Sequence, residues 1–236
     1  MSSLLTAIRT ENIKLFRSYV LWGTLAFFLF VTTLRVGEGD WATYLGNVVF
    51  MFASVFGIVG FGVVAGWTFG REYADRTMKD LLALPVSRGK IVAAKSVSAI
   101  AGCLMIILIT FAFALLLGFI VGVPGFSVDQ VRQHLIQLLI ISVLHLLLCG
   151  PVVMIACVSR GYLAPLAFAF SSLMIALIAG PTRLGAYLPW SIPALQLARS
   201  GGTAFPLETV SYIIPFVVGF AGYLGTWAWW RWADQK

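Results

Sequence analysis

The sequence predicts an all-α integral membrane protein. It should have six transmembrane helices, an N-terminal interfacial amphipathic helix and a cytoplasmic helix between spans two and three. Three observations carry that prediction. The 236 residues are 60% hydrophobic and only 11% charged, with a mean hydropathy of +0.96. A soluble domain is about 25% charged, so lipid must be the solvent for most of this chain. Apolar runs of about 20 residues recur, the length that crosses a ~30 Å hydrocarbon core. The remaining charge is concentrated: residues 70–95, GREYADRTMKDLLALPVSRGKIVAAK, hold six of the sixteen basic residues and three of the nine acids.

Residues 1–18 are polar and charged, unlike a cleavable signal peptide. At 100° per residue Leu4, Leu5, Ile8, Leu15, Phe16 and Tyr19 share one arc, with Arg9, Thr10, Lys14 and Arg17 opposite. A basic amphipathic helix of this kind should lie in the inner interface as an elbow before the first span. The spans read as residues 20–34, 44–69, 96–121, 135–158, 162–180 and 210–230. The first is short and should be completed by residues 16–19. Val123-Pro124-Gly125, Gly180-Pro181 and Ser200-Gly201-Gly202 are turn signals between spans. With the N-terminus inside, the inner side holds Arg9, Lys14, Arg17, the six loop cations, Arg160, Arg231 and Lys236. The outer side holds only Arg35, Arg132, Arg183 and Arg199. Twelve against four places both termini and the charged loop in the cytoplasm. Trp227, Trp229, Trp230 and Trp232 should then anchor the last span at the inner interface.

Several function classes lose support. No Asp or Glu falls within the six spans, which argues against an ion- or proton-coupled transporter working alone. The only Gly-Lys pair, Gly89-Lys90, is followed by Ile91, so there is no phosphate loop. No basic run is interleaved with aromatics, and nucleic acid is not an expected partner; net charge +7 suits anionic lipid headgroups. Cys103, Cys149 and Cys157 lack metal-ligand or CxxC spacing and read as small buried hydrophobes, so no metal site is expected. An intramembrane hydrolase would want a GxSxG-like nucleophile with a paired His. Ser200 sits in RSGG, and the histidines are His134 and His145. His145 in mid-span reads more readily as a hydrogen-bonded packing residue than as a ligand.

The charged segment reads as a helix over residues 71–84 supported by Glu72–Arg76 and Asp75–Lys79 pairs. Pro85 ends it, and Ser87 can N-cap a second helix entering span three. Its apolar tip, Leu81, Leu82, Ala83, Leu84, Pro85 and Val86, suits a groove on another protein; an interfacial helix on lipid is the plainer alternative. Gly62, Gly66 and Gly70 form a small-xxx-small ridge that could pack within one subunit or across a dimer. Gly219, Gly222 and Gly225 form a looser ridge, and Gly150-Pro151 should kink span four.

At Gly66, Gly70, Glu72, Tyr73, Thr77, Leu81, Leu82, Pro85, Val86, Ser87, Arg88 and Lys95 the segment resembles the cytoplasmic loop of ABC-2 type permeases, the membrane subunits of bacitracin-resistance and lantibiotic-immunity exporters. The resemblance extends to the six-span layout. It also covers PTRLGAYLPWSIPALQL, within an outer loop at 181–209, which is similar to the short re-entrant helices of such permeases. The resemblance implies one transmembrane domain over 1–236 in a bacterial or archaeal plasma membrane. It implies no enzymatic activity and no cofactor in this chain, because ATP and Mg would sit on a partner ABC ATPase. That partner would couple through Glu72, Tyr73, Asp75, Arg76, Thr77, Lys79, Leu81, Leu82, Leu84, Pro85 and Arg88. Six spans enclose little space, so a second permease copy should complete the pathway, as homodimer or with a similar chain. Apolar and aromatic spans fit an amphipathic or lipid-like substrate such as a peptide antibiotic. The competing readings are an intramembrane hydrolase and a non-transporting immunity protein.

Overall fold

The computed structural model describes residues 2–37, 39–83, 85–198 and 207–232, and those residues contain helices and no strand. In chain order they are α1 (Ser2–Phe16), α2 (Tyr19–Thr33), α3 (Trp41–Met51), a π-helical turn (Phe52–Phe56), α4 (Gly57–Ala74), α5 (Met78–Ala83), α6 (Arg88–Val121), α7 (Val128–Val158), α8 (Leu163–Ala179), a 3₁₀ turn (Arg183–Tyr187), α9 (Ile192–Ala198) and α10 (Thr209–Trp232). Leu84, Arg199, Ser200, Gly201, Gly202 and Lys236, all used above, lie outside the described residues.

Among the described residues four helices are long and apolar enough to cross a membrane: Trp41–Ala74, Arg88–Val121, Val128–Val158 and Thr209–Trp232. The pair α1–α2, bent by 56°, makes a possible fifth. At 17 residues α8 spans about 25 Å, less than a ~30 Å hydrocarbon core. The protein is thus a multi-pass helical membrane protein. Trp41–Ala74 and Arg88–Val121 have 34 residues each, about 51 Å of helix. Both exceed the hydrocarbon thickness, and the charged loop joins their ends.

The helix ends sort into two groups. Trp41 donates its N–H to Pro124 O (3.0 Å), and its ring meets Phe119 and Phe126, joining the start of α3 to the α6–α7 turn. Gly122 ends α6 there in the left-handed conformation, φ +75°, where glycine carries no Cβ penalty. At the opposite, charged end Arg88 Nη1 donates to Trp230 O (3.1 Å). There α1 lines a cleft with the start of α6. The starts of α1 and α6 and the end of α10 therefore share one end of the molecule.

Close glycine contacts hold the bundle. A Cβ on Gly62 would lie 2.9 Å from Ala169 Cβ, on Gly66 3.3 Å from Pro165, and on Gly70 2.6 Å from Gly161 O. The ridge expected to pack within a subunit or across a dimer is thus filled by α8 and the residues before it in the same chain. The second ridge packs likewise: a Cβ on Gly150 would lie 2.2 Å from Gly219 O, and one on Gly222 2.2 Å from Gly150 C. That crossing of α7 and α10 is the most extensive helix pair, and Pro151 lies inside it. Trp230 is no interfacial anchor. It is buried, and its Nε1 donates to Cys157 Sγ at 3.1 Å. The exposed Trp227 and Trp232 instead flank Arg231, whose guanidinium lies 5.1 and 5.4 Å from their ring centroids. The segment after α8 turns back into the body of the protein, with Ile192 fully buried and Trp190 5.4 Å from the Phe168 ring.

Candidate coupling site at the charged end

The helix expected over 71–84 is broken. α4 stops at Ala74, and Arg76 adopts the left-handed conformation at φ +60°. Arg76 N–H donates to Tyr73 O (3.3 Å) and Thr77 N–H to Glu72 O (3.0 Å), the Schellman pairing that satisfies the last carbonyls of a helix. The chain re-enters a helix at α5 with Met78 and Leu81 turned inward and buried. The expected i,i+4 pairs therefore do not form as read. Arg71 pairs with Asp75 instead (Nε–Oδ2 3.1 Å), and its guanidinium lies 5.0 Å from the Trp67 ring.

Glu72 is no rim charge either. Only 4% exposed, it belongs to a closed ring of alternating charge. Lys95 Nζ donates to Glu72 Oε2 (2.7 Å), Glu11 Oε2 (3.1 Å) and Thr68 O (2.8 Å), using all three of its protons. Lys14 Nζ donates to Glu11 Oε1 (2.7 Å) and Glu72 Oε1 (3.3 Å). Each carboxylate thus joins both ammonium groups, one oxygen to each. Two acids and two bases make the ring neutral, the condition under which buried charge is tolerable. Lys95 is wholly inaccessible, while the Lys14 side chain is 31% exposed. Burial alone would lower the Lys14 pKa; the hydrogen bonds and charges of Glu11 and Glu72 outweigh it and hold the pKa above its ordinary value.

α1 reaches the ring by packing on α6. Gly102 makes room: a Cβ there would lie 2.7 Å from Leu15 Cδ2. The apolar arc expected to face lipid is therefore divided. Leu15 is buried in the core, whereas Leu5, Phe16 and Tyr19 remain exposed. Beside the ring a cleft of about 520 Å³ opens between α1 (Thr6, Ala7, Thr10) and the loop (Leu81, Pro85, Val86), with Ile91 of α6 between them.

The remaining loop residues divide by face. Asp75, Arg76, Thr77, Lys79, Pro85 and Arg88 are exposed, and Tyr73 and Leu82 are half-buried against the core. Leu81 is 8% exposed, so the expected apolar tip is partly this protein's own core. Ser87 occupies the N-cap position of α6, but its side chain makes no capping bond. His145, far from this end, hydrogen-bonds Ile141 O (2.9 Å) and packs over Gly57, where a Cβ would lie 2.5 Å from the ring. Among the described residues no group of three or more His, Cys, Asp or Glu could hold a metal ion.

Composition singles out the loop as a candidate site. It does not show the ring. In the sequence Glu11 carries no motif, Lys14 reads as an ordinary inner cation, and Lys95 stands out only as the lysine that enters span three in the resemblance. The available signals were Glu11 as the single acid before residue 38, and Lys95 alone among Ala93, Ala94, Val97 and Ile100.

Fold and site together define a multi-pass helical membrane protein whose charged loop joins two long helices. The family described as ABC-2 family transporter protein matches residues 7–176, well over half of the chain, and the protein belongs to that family. It is also similar to the bacitracin transport permease protein BCRB of Bacillus licheniformis, 30% identical over 150 residues, which cover 64% of this chain and 71% of that one.

Proposed function

We propose that the chain is the membrane-spanning subunit of an ATP-driven exporter, with both termini and the charged loop cytoplasmic in a bacterial or archaeal plasma membrane. Six crossings are completed by α2, entered from the elbow α1, and by α8. The pathway forms with a second permease copy, and ATP hydrolysis resides on a separate ABC ATPase. One observation supports this most: a buried ionic ring ties Glu72 at the end of α4 to Lys95 in α6, pinning the helices on either side of the loop and leaving an exposed charged face. A loop that transmits force needs such anchored ends.

The docking face follows from exposure. Asp75, Arg76 and Lys79 are exposed and would set register on the ATPase through charge, which tunes specificity more than affinity. Leu81 is a poor anchor for a partner because it is already buried. Replacing it with Asp would therefore damage the loop before it tested docking. The cleaner experiment replaces Lys79 with Glu and measures co-purification of the ATPase and export. Loss of both in a normally folded protein is expected; unchanged ATPase stoichiometry and export would remove the loop from the coupling path.

The substrate is an amphipathic or lipid-like compound. Support comes from the apolar spans and from the similarity to a bacitracin transport permease. Resistance to such compounds in cells expressing the chain with its ATPase tests this. The hydrolase reading draws no support from His145, which hydrogen-bonds a backbone carbonyl inside a tightly packed helix crossing.

A further inference from the structure

We infer that Glu11 and Lys14 are positioning residues of the transport cycle: through the ionic ring they tie the elbow helix α1 to the loop-bearing end of α4, so that loop and elbow move together. This rests on the proposed coupling role of the loop and assigns a function to residues outside it.

The argument starts from what α1 touches. Its extensive packing is on α6 and α2 alone. Toward the loop it faces the open cleft of about 520 Å³, with Thr6, Ala7 and Thr10 on one wall and Leu81, Pro85 and Val86 on the other. Apolar contact therefore does little to join α1 to the loop. The connection to α4 runs through Lys14 to Glu72 directly (3.3 Å) and from Glu11 to Glu72 through Lys95.

Such a link behaves as all or none. Lys95 is out of reach of water, and each ring carboxylate shares its two oxygens between two cations. Pulling Glu72 away would leave buried charges without partners, the most expensive way to lose a polar contact. Moving α1 with α4 keeps every bond. A displacement of the loop is thus passed to α1 as a rigid body, and across Arg17-Ser18 to α2, where the chain bends by 56°. The half-exposed corner of the ring, Lys14, borders the cleft, as does Glu11.

The test strips α1 of its ionic ties to the ring without stranding a charge; the glutamine replacing Glu11 keeps at most a hydrogen bond from Lys95 to its uncharged amide. The double substitution Glu11→Gln with Lys14→Met leaves the Glu72–Lys95 pair, at 2.7 Å the shortest contact Lys95 makes, neutral and intact. Spin labels on Arg9→Cys in α1 and Ala83→Cys in α5, both exposed sites, report the elbow-to-loop distance in the permease alone. The three native cysteines are buried. The permease with its ATPase reports substrate exported per ATP hydrolysed.

The double variant should melt close to wild type, show a broadened elbow-to-loop distance, and retain ATP hydrolysis while export per ATP falls at least tenfold. Lys14→Arg, which can still bridge both carboxylates, should behave as wild type in both readouts. An unchanged distance distribution, or unchanged export per ATP, overturns the inference and leaves the ring as charge balance alone. Should wild-type permease fail to bind any ATPase, the proposed function falls instead, and the distance measurement alone decides whether the ring ties elbow to loop.

Discussion

The two faces of the charged loop have the same kind of composition and opposite physics. On the inner face Glu72 and Lys95 are 4% and 0% exposed and hold each other at 2.7 Å. On the outer face Asp75 pairs with Arg71 at 3.1 Å, with side chains 52% and 35% exposed. Glu72 and Asp75 are three positions apart, and the Schellman turn at Arg76 separates the helix they end from α5. The difference teaches that charge density in a membrane protein's loop does not by itself mean a water-facing surface. Two of this loop's nine charged residues, Glu72 and Lys95, are internal scaffolding, and the others lie at or near its surface.

The sharpest way to break the comparison is Lys95→Met. The methionine matches the lysine stem but leaves two buried carboxylates facing one ammonium. Removing one partner of a buried ion pair costs about 3–5 kcal/mol. Thermal unfolding in detergent should fall accordingly, and a variant as stable as wild type would mean that the ring is hydrated in solution. A smaller loss is expected for Gly70→Ala, whose new methyl carbon would meet the Gly161 carbonyl oxygen at 2.6 Å, inside contact distance. Backbone cannot swing aside as a side chain can, so about 1–3 kcal/mol is expected. Gly66→Ala, facing the Pro165 ring at 3.3 Å, should cost less. Equal melting temperatures for the two would argue that α8 does not pack on α4 as described.

The outer face inverts the pattern. Lys79→Glu should leave stability within about 0.5 kcal/mol, as exposed substitutions do. Its effect should appear in ATPase docking, with an expected loss of roughly tenfold, equivalent to about 1.4 kcal/mol. Titration of labelled ATPase onto the detergent-solubilised permease measures it. A stability loss as large as that of Lys95→Met would erase the distinction between the two faces.

How much of this was legible before the structure follows the same division. Hydropathy gave the helical membrane class, and the position of the charged loop was plain from composition. The glycine ridges were visible, because four-residue spacing is a property of a single helix. Their partners were not, since a ridge looks the same whether Pro165 and Ala169 fill it or a second subunit does. The break at Arg76 was hidden because local propensity and i,i+4 charge spacing favour a continuous helix. Turning Met78 and Leu81 into the core overrides both. The ring was hidden for a related reason: Glu11, Glu72 and Lys95 lie far apart in sequence, and single-sequence periodicity carries no record of which charges meet. The apolar setting of Lys95 was the one local clue.

The smallest expected effect lies in the Arg71–Asp75 pair and discriminates most finely. An exposed i,i+4 ion pair contributes about 0.3–0.5 kcal/mol and is screened by salt. Asp75→Ala removes that pair alone. Arg71→Ala removes the pair and also the guanidinium 5.0 Å from the Trp67 ring, a contact worth about 0.5–1 kcal/mol at an exposed site. Arg71→Ala should therefore cost more than Asp75→Ala, and the excess should persist in 1 M salt because a cation–π contact is less screened than an exposed ion pair. The double-mutant coupling energy should be no more than about 0.5 kcal/mol and should shrink with salt. The same cycle on Glu72 and Lys95 should give several kcal/mol and little salt dependence, because a Debye length of about 3 Å at 1 M describes only charges that ions can approach. Similar coupling energies and salt slopes at the two sites would show that both faces of the loop are wet, and the anchored ends on which the coupling proposal depends would be lost with them.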